Sequence, residues 1–142
     1  MDIEVTFPGG KRVDAQVGPH RIQTDQPVEL GGDYESPAPF DLFLASVATC
    51  GGIYALGFCQ ARGLSTRGLK LTQHVEFDTD THLPTQFRLE LTLPAGFPDK
   101  YKAAIVRAVE NCKVKKTMAA APMVEVIAHP TEEVRHVSAY PM

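Results

Sequence analysis

The residues of this chain with distinctive chemistry in reach are its cysteines. Cys50 lies in a long apolar run from Ser36 to Gly52, and Cys112 closes a second, amphipathic run that begins at Lys100. Neither position needs sulfur for packing, since alanine or valine would fill it. A thiol in the middle of one helix and a thiol at the end of another suggest a redox pair. In such a pair one sulfur is oxidised and the other closes a disulfide with it. Lys113, Lys115 and Lys116 follow Cys112 and favour a thiolate there, as does the N-terminus of a following helix; the negative end of the preceding helix opposes them. Free cysteine also packs as a small buried hydrophobe, so an inert core role is the competing reading for each thiol.

The third cysteine, Cys59, is nine residues beyond Cys50. At 100° per residue it falls half a turn round the helix, facing away from Cys50, and reads as a core residue. There is no Cys-x-x-Cys, and His20, His74, His82, His129 and His136 show no zinc-type spacing, so no metal or cofactor is expected. Three cysteines with no signal-peptide pattern after Met1 imply reduced thiols and a cytoplasmic setting. A net charge of −3 makes nucleic acid and anionic membranes poor partners. The apolar run over 40–59 carries Asp41 and three glycines, Gly51, Gly52 and Gly57, which count against a membrane span.

The elements that must position the thiols can be read from periodicity. Ile3–Phe7 and Arg12–Val17 alternate and flank Pro8-Gly9-Gly10, a hairpin signal. Arg21–Thr24 reads as a third strand, and Asp25 to Pro39 as a Gly- and Pro-rich loop. A helix follows from Pro39 to Arg62, apolar nearly all round and therefore buried on most faces, under a sheet or between subunits. Leu69–Phe77 and Gln86–Leu93 alternate as a second strand pair. A helix from Pro98 to Cys112, a short one from Lys115 to Ala121 and a last strand at Met123–Ile127 complete the order. Tyr101, Ile105, Ala108 and Cys112 form the inward stripe of the second helix. The 142 residues read as one α+β domain, with a tail from Thr131.

Two segments resemble the OsmC/Ohr family of thiol-dependent hydroperoxide reductases. Ser36-Pro-Ala-Pro-Phe-Asp-Leu-Phe-Leu-Ala-Ser-Val-Ala-Thr-Cys50 is similar to the opening of that family's buried helix, and Glu110-Asn-Cys112-Lys-Val114 to its second cysteine motif. The resemblance implies an intertwined homodimer, with antiparallel sheets packed around a long central helix and a second helix. It also implies a chemistry. Cys50 attacks the peroxide as a thiolate and becomes a sulfenic acid, Cys112 resolves it as a disulfide, and an external dithiol reductant restores both.

Ohr-type members also use an arginine and a glutamate beside the reactive thiol. The glutamate position falls on Phe40, with Asp41 next to it as a substitute, although Asp41 also suits a first-turn dipole role. Arg21, between the hairpin and the long helix, is the candidate arginine, with an exposed strand charge as its plainer reading. Lys113 stands where the family has proline. The chain is thus closer to the general OsmC-like branch than to typical Ohr proteins. Phe43, Val47 and Ile53 would line an apolar pocket that favours an organic hydroperoxide. The alternatives are a non-catalytic dimer that binds a small apolar ligand or senses redox state, and a structural dimer whose thiols only pack.

Overall fold

The computed structural model describes residues 1–131. Alternating sequence gives strands β1 (Glu4–Gly9) and β2 (Arg12–Val17), antiparallel, with Thr6 opposite Asp14. The turn between them uses positive φ at Gly9 and Gly10, as a tight hairpin demands. β3 (His20–Ile22) pairs with β2 and completes a sheet in the order β1-β2-β3. The third strand starts one residue earlier than expected and stops at Ile22. Thr24 still follows β2, because its carbonyl accepts the Val13 N–H at 3.3 Å and its hydroxyl donates to the Val13 carbonyl.

A buried carboxylate organises the loop that follows. Asp25 accepts the N–H groups of Gln26, Asp33 and Glu35 at 2.8, 3.2 and 3.2 Å. The bond from Gln26 is the main cause of a carboxyl held below its usual range. Gly32 has no substitute in this fold, since a Cβ there would meet the Gln26 carbonyl oxygen at 2.0 Å.

α1 (Pro39–Ala61) starts with proline in its first turn and has Ala38 as N-cap. Ala38 has no side-chain acceptor to offer. Asp41 supplies the other half of a capping box, accepting the Ala38 N–H at 3.2 Å. One stripe of α1 is buried: Val47, Gly51, Ala55, Phe58 and Cys59. The expected burial on most faces is not met within one chain, where Phe40, Phe43, Ile53 and Tyr54 remain exposed. By length and composition α1 could cross a bilayer, with a mean hydropathy of 1.8, but its buried stripe packs on β4, α2 and α3.

β4 (Lys70–Phe77) and β5 (Pro84–Thr92) form an antiparallel pair, from Lys70 opposite Thr92 to Phe77 opposite Pro84. A 3-10 turn at Asp99–Tyr101 leads into α2 (Lys102–Glu110), and α3 (Lys113–Ala120) follows. The core lies between α1, α2 and the β4–β5 pair, around Ala55, Phe58, Cys59, Ile105 and Val109. Gly51 permits the close approach there: a Cβ would sit 2.9 Å from Leu89 Cδ2 and 3.3 Å from Val109 Cγ1.

The α+β class read from the sequence is the one observed. The helix boundaries shift most around α2: a 3-10 turn over Asp99–Tyr101 delays its start to Lys102 against the expected Pro98, it ends at Glu110, two residues short of Cys112, and α3 begins at Lys113, two residues early. The strand expected at Met123–Ile127 is not formed. The segment runs without a ladder partner, with Met123 93% exposed and Val124, Val126 and Ile127 also in the open. Alternation marks a segment able to pair, but an edge must be present to receive it. Beyond Thr131, the expected tail lies outside the described residues.

Candidate active site

The site forms where α1 passes the junction of α2 and α3. The last turn of α2 ends with the Cys112 N–H donating to the Val109 carbonyl at 3.1 Å. Cys112 then takes extended geometry (φ −50°, ψ 132°) as the N-cap of α3, and its side chain makes no capping bond. Its thiol is free to face Cys50. The first intrahelical bond of α3 runs from Lys116 N–H to the Cys112 carbonyl at 3.1 Å. The earlier amides of the turn have no helical acceptor, so they are available to an outside one.

The Val114 and Lys113 N–H groups lie toward the Cys50 sulfur and favour its anion, and the Lys115 and Val114 N–H groups do the same more weakly at Cys112. The neighbouring Cys112 thiol does most to hold the Cys50 thiol below its usual value, followed by the Val114 N–H; the Lys113 N–H and the Lys113 charge add to it, against burial. The positive end of α3 works in the same direction. Cys112 is shifted the other way. Only 3% exposed, its thiol is pushed up by burial first and by the adjacent Cys50 second. The pair is therefore asymmetric. Cys50, partly exposed, is the better anion, and Cys112 keeps its proton and donates it toward Cys50. Gly51 beside Cys50 lets α1 come close enough for this arrangement.

Cys59 stands apart. It is 0% exposed in the core, where burial raises its thiol against the opposing charge of Arg62. The Arg62 guanidinium stacks 3.7 Å over the Phe58 ring and closes that end of α1.

Of the residues singled out from sequence, the structure brings Cys50 and Cys112 together. Asp41 lies at the start of α1, bonded to the Ala38 N–H, more than two turns from Cys50. Arg21 lies in β3 and donates from Nε to Asp14 Oδ2 at 2.9 Å. Asp14 is 1% exposed, and its Oδ1 has no hydrogen-bond partner among the described residues. Neither Asp41 nor Arg21 is among the groups that most strongly set the ionisation of Cys50. The strongest influence is the Cys112 thiol, and the Val114 and Lys113 amides that add to it are backbone. The signal for them was the run after Cys112, read as a helix starting two residues too late. Among the described residues no group of His, Cys, Asp and Glu is arranged to hold a metal ion.

A cleft of about 600 Å³ opens beside the pair. Its walls are apolar side chains of β5, including Phe87 and Leu89, and of α2, including Ile105 and Val109. Cys112 lines it, and so does Val47; Cys50, Phe43 and Ile53 do not.

Comparison with known proteins bears on the same residues. The family model for OsmC-like proteins matches residues 31–127. No curated protein matches the chain. Among solved structures, a Psychrobacter arcticus protein assigned to osmotic-stress and detoxification response aligns over 81% of this chain and 85% of its own, at 22% identity and a TM-score of 0.69. An OsmC-like protein from Mycoplasma pneumoniae aligns over 83% and 86%, at 15% identity and a TM-score of 0.66. An organic hydroperoxide resistance protein OsmC from Legionella pneumophila aligns over 82% and 87%, at 20% identity and a TM-score of 0.53. At these identities the likeness is one of fold. The family match spans more than half of the chain and takes in both thiols of the asymmetric pair, and by it the chain belongs to the OsmC-like family.

Proposed function

We propose that the protein is a thiol peroxidase that reduces organic hydroperoxides through Cys50. The carrying observation is the asymmetry of the pair, with Cys50 favoured as thiolate and Cys112 as thiol. In the first step the Cys50 thiolate attacks the outer peroxide oxygen. The O–O bond breaks, the alkoxide takes a proton and leaves as alcohol, and Cys50 becomes a sulfenic acid. In the second step the Cys112 sulfur attacks Cys50, the S–O bond breaks, and the hydroxide leaves as water with the Cys112 proton. A disulfide joins the two. An external dithiol returns both to thiols, and no cofactor takes part.

Several features support this reading. A resolving thiol next to the sulfenic acid limits over-oxidation. Phe43, Ile53 and Tyr54, on Cys50's own side of α1, present apolar surface suited to an alkyl peroxide. The Legionella neighbour carries a hydroperoxide-resistance name. Asp41 and Arg21 enter as auxiliary candidates only: Arg21 would have to exchange Asp14 for the site, and Asp41 would have to leave its cap.

The working form is a cytoplasmic homodimer in this reading. One chain leaves Phe7, Val28, Leu30 and part of the open face of α1 exposed, together with Met123–Ile127. A second copy would cover them.

The test is thiol counting before and after one equivalent of cumene hydroperoxide. The expected result is loss of two of the three thiols, with peptide mapping that joins Cys50 to Cys112. Three thiols remaining would overturn the peroxidase reading and favour the cleft as a site for a small apolar ligand.

A further inference from the structure

Two kinds of sulfur line the cleft of about 600 Å³, the Cys112 thiol and the Met118 thioether. Cys50 does not line it, so a hydroperoxide seated there is away from the attacking thiol of the preceding reading. We propose that Met118 is a modification site, oxidised to the sulfoxide by apolar organic hydroperoxides that lodge in the cleft. The reaction does not require Cys50.

Three observations carry it. The first is the chemistry of the cleft. Phe87, Leu89, Leu91 and Val109 give it apolar walls suited to an aryl or alkyl group. Two of its charged residues are paired with carboxylates that do not line it: Arg88 Nε with Glu90 Oε1 at 3.2 Å, and Lys102 Nζ with Asp99 Oδ1 at 2.7 Å. The second is access. Met118 is 38% exposed, far more than Cys112, so the thioether is the sulfur that a guest meets more freely. Lys115, three residues earlier on α3, lines the cleft as well, so this face of the helix turns toward it. The third is reactivity. A thioether needs no deprotonation to act as a nucleophile, whereas burial holds Cys112 as the thiol.

The electrons balance. The Met118 sulfur gives an electron pair to the outer peroxide oxygen, and the S–O bond forms as the O–O bond breaks. The departing alkoxide takes the proton of the hydroperoxide and leaves as alcohol. The thioether is oxidised to the sulfoxide and the peroxide is reduced. The product puts a polar S–O group on an apolar wall, which weakens the seating of the next apolar guest.

The experiment uses the full chain with Cys50→Ser, which removes the attacking thiol and leaves the residues that line the cleft unchanged. It is treated with cumene hydroperoxide or with hydrogen peroxide, each in the presence of free N-acetylmethionine amide as reference. Peptide mapping then follows sulfoxide at Met118 and at Met123. Hydrogen peroxide has no apolar part to bury, so it reports access alone. The expected result is a Met118-to-reference ratio about tenfold higher with cumene hydroperoxide than with hydrogen peroxide, with no such rise at Met123. Val106→Trp, at a half-exposed residue of the lining, fills the cleft with a ring and should abolish the rise. Equal ratios for the two oxidants, an equal rise at Met123, or a rise that survives Val106→Trp overturns the proposal. The peroxidase reading is tested separately by thiol loss in the parent chain, so either can fail without the other.

Discussion

Gly51→Ala adds one methyl group where α1 lies closest to its neighbours. The new Cβ would stand 2.9 Å from Leu89 Cδ2, 3.3 Å from Val109 Cγ1 and 3.4 Å from Leu71 Cδ1. Favourable carbon–carbon contact begins at about 3.5 Å, so the Leu89 methyl must retreat by about 0.6 Å. Two terms compete. Alanine is better than glycine inside a helix by about 0.8–1.0 kcal/mol. Crowding a packed core costs about 1–3 kcal/mol, at the lower end here because the closest atom is the free end of a leucine. The expected net effect is a loss of about 0–2 kcal/mol. Gly57→Ala is the internal control. It has nothing within 4 Å, so within one chain it keeps the propensity gain without the crowding. Urea titrations of the two variants should therefore differ by about 1–3 kcal/mol, with Gly51→Ala the less stable. Lifting α1 also carries Cys50 away from Cys112 and the α3 amides, so peroxide-driven disulfide closure should slow several-fold. Equal stabilisation by both substitutions, with unchanged closure, would refute the close approach. A loss of stability at Gly57 would instead indicate that a second copy covers that face.

Other outcomes follow from the same geometry. Cys59→Ala should lower stability by about 1–2 kcal/mol through a small cavity in the core, while hydroperoxide still consumes two thiols by titration. For Cys50, the lowered thiol value means that the rate of hydroperoxide consumption climbs with pH and levels off below the range where an ordinary thiol ionises. Lys113→Glu removes a favourable charge and adds an unfavourable one, so that profile should move to higher pH. Asp25 has a lowered folded value, so its contribution to stability is complete above about pH 4 and disappears as pH falls through that value. Asp25→Asn should remove this acid-side dependence and lower the neutral-pH midpoint, read by urea titration at several pH values. Light scattering should give twice the mass of the 15.5 kDa chain, and a monomer would contradict the dimer reading.

Local pattern carried most of the fold. The period-2 runs became β1, β2, β4 and β5 because each has a neighbour in its own chain to pair with. Met123–Ile127 has the same alternation and no such neighbour among the described residues, which periodicity alone does not reveal. The helix periods separated Cys50 from Cys59 correctly, since an angle along a helix survives small errors in its ends. Boundaries did not survive as well. Placing the start of α3 at Lys115 hid the fact that Cys112 is its N-cap and that the amides of Lys113 and Val114 are free to reach Cys50. The role of Asp41 was legible as a first-turn acid, yet its acceptor geometry toward Ala38 depends on the turn before the helix. The buried partner of Arg21 lies seven residues away across the β2–β3 turn, a pairing set by strand register and not by composition.

The most direct test of the central claim is to trap the oxidised sulfur itself. Cys112→Ser removes the resolving thiol, so one equivalent of cumene hydroperoxide should leave a sulfenic acid. Treatment with dimedone and peptide mapping should then place one adduct on Cys50 and none on Cys59. An adduct on Cys59, or none at all while the parent protein still consumes hydroperoxide, would contradict the assignment of Cys50 as the attacking thiol.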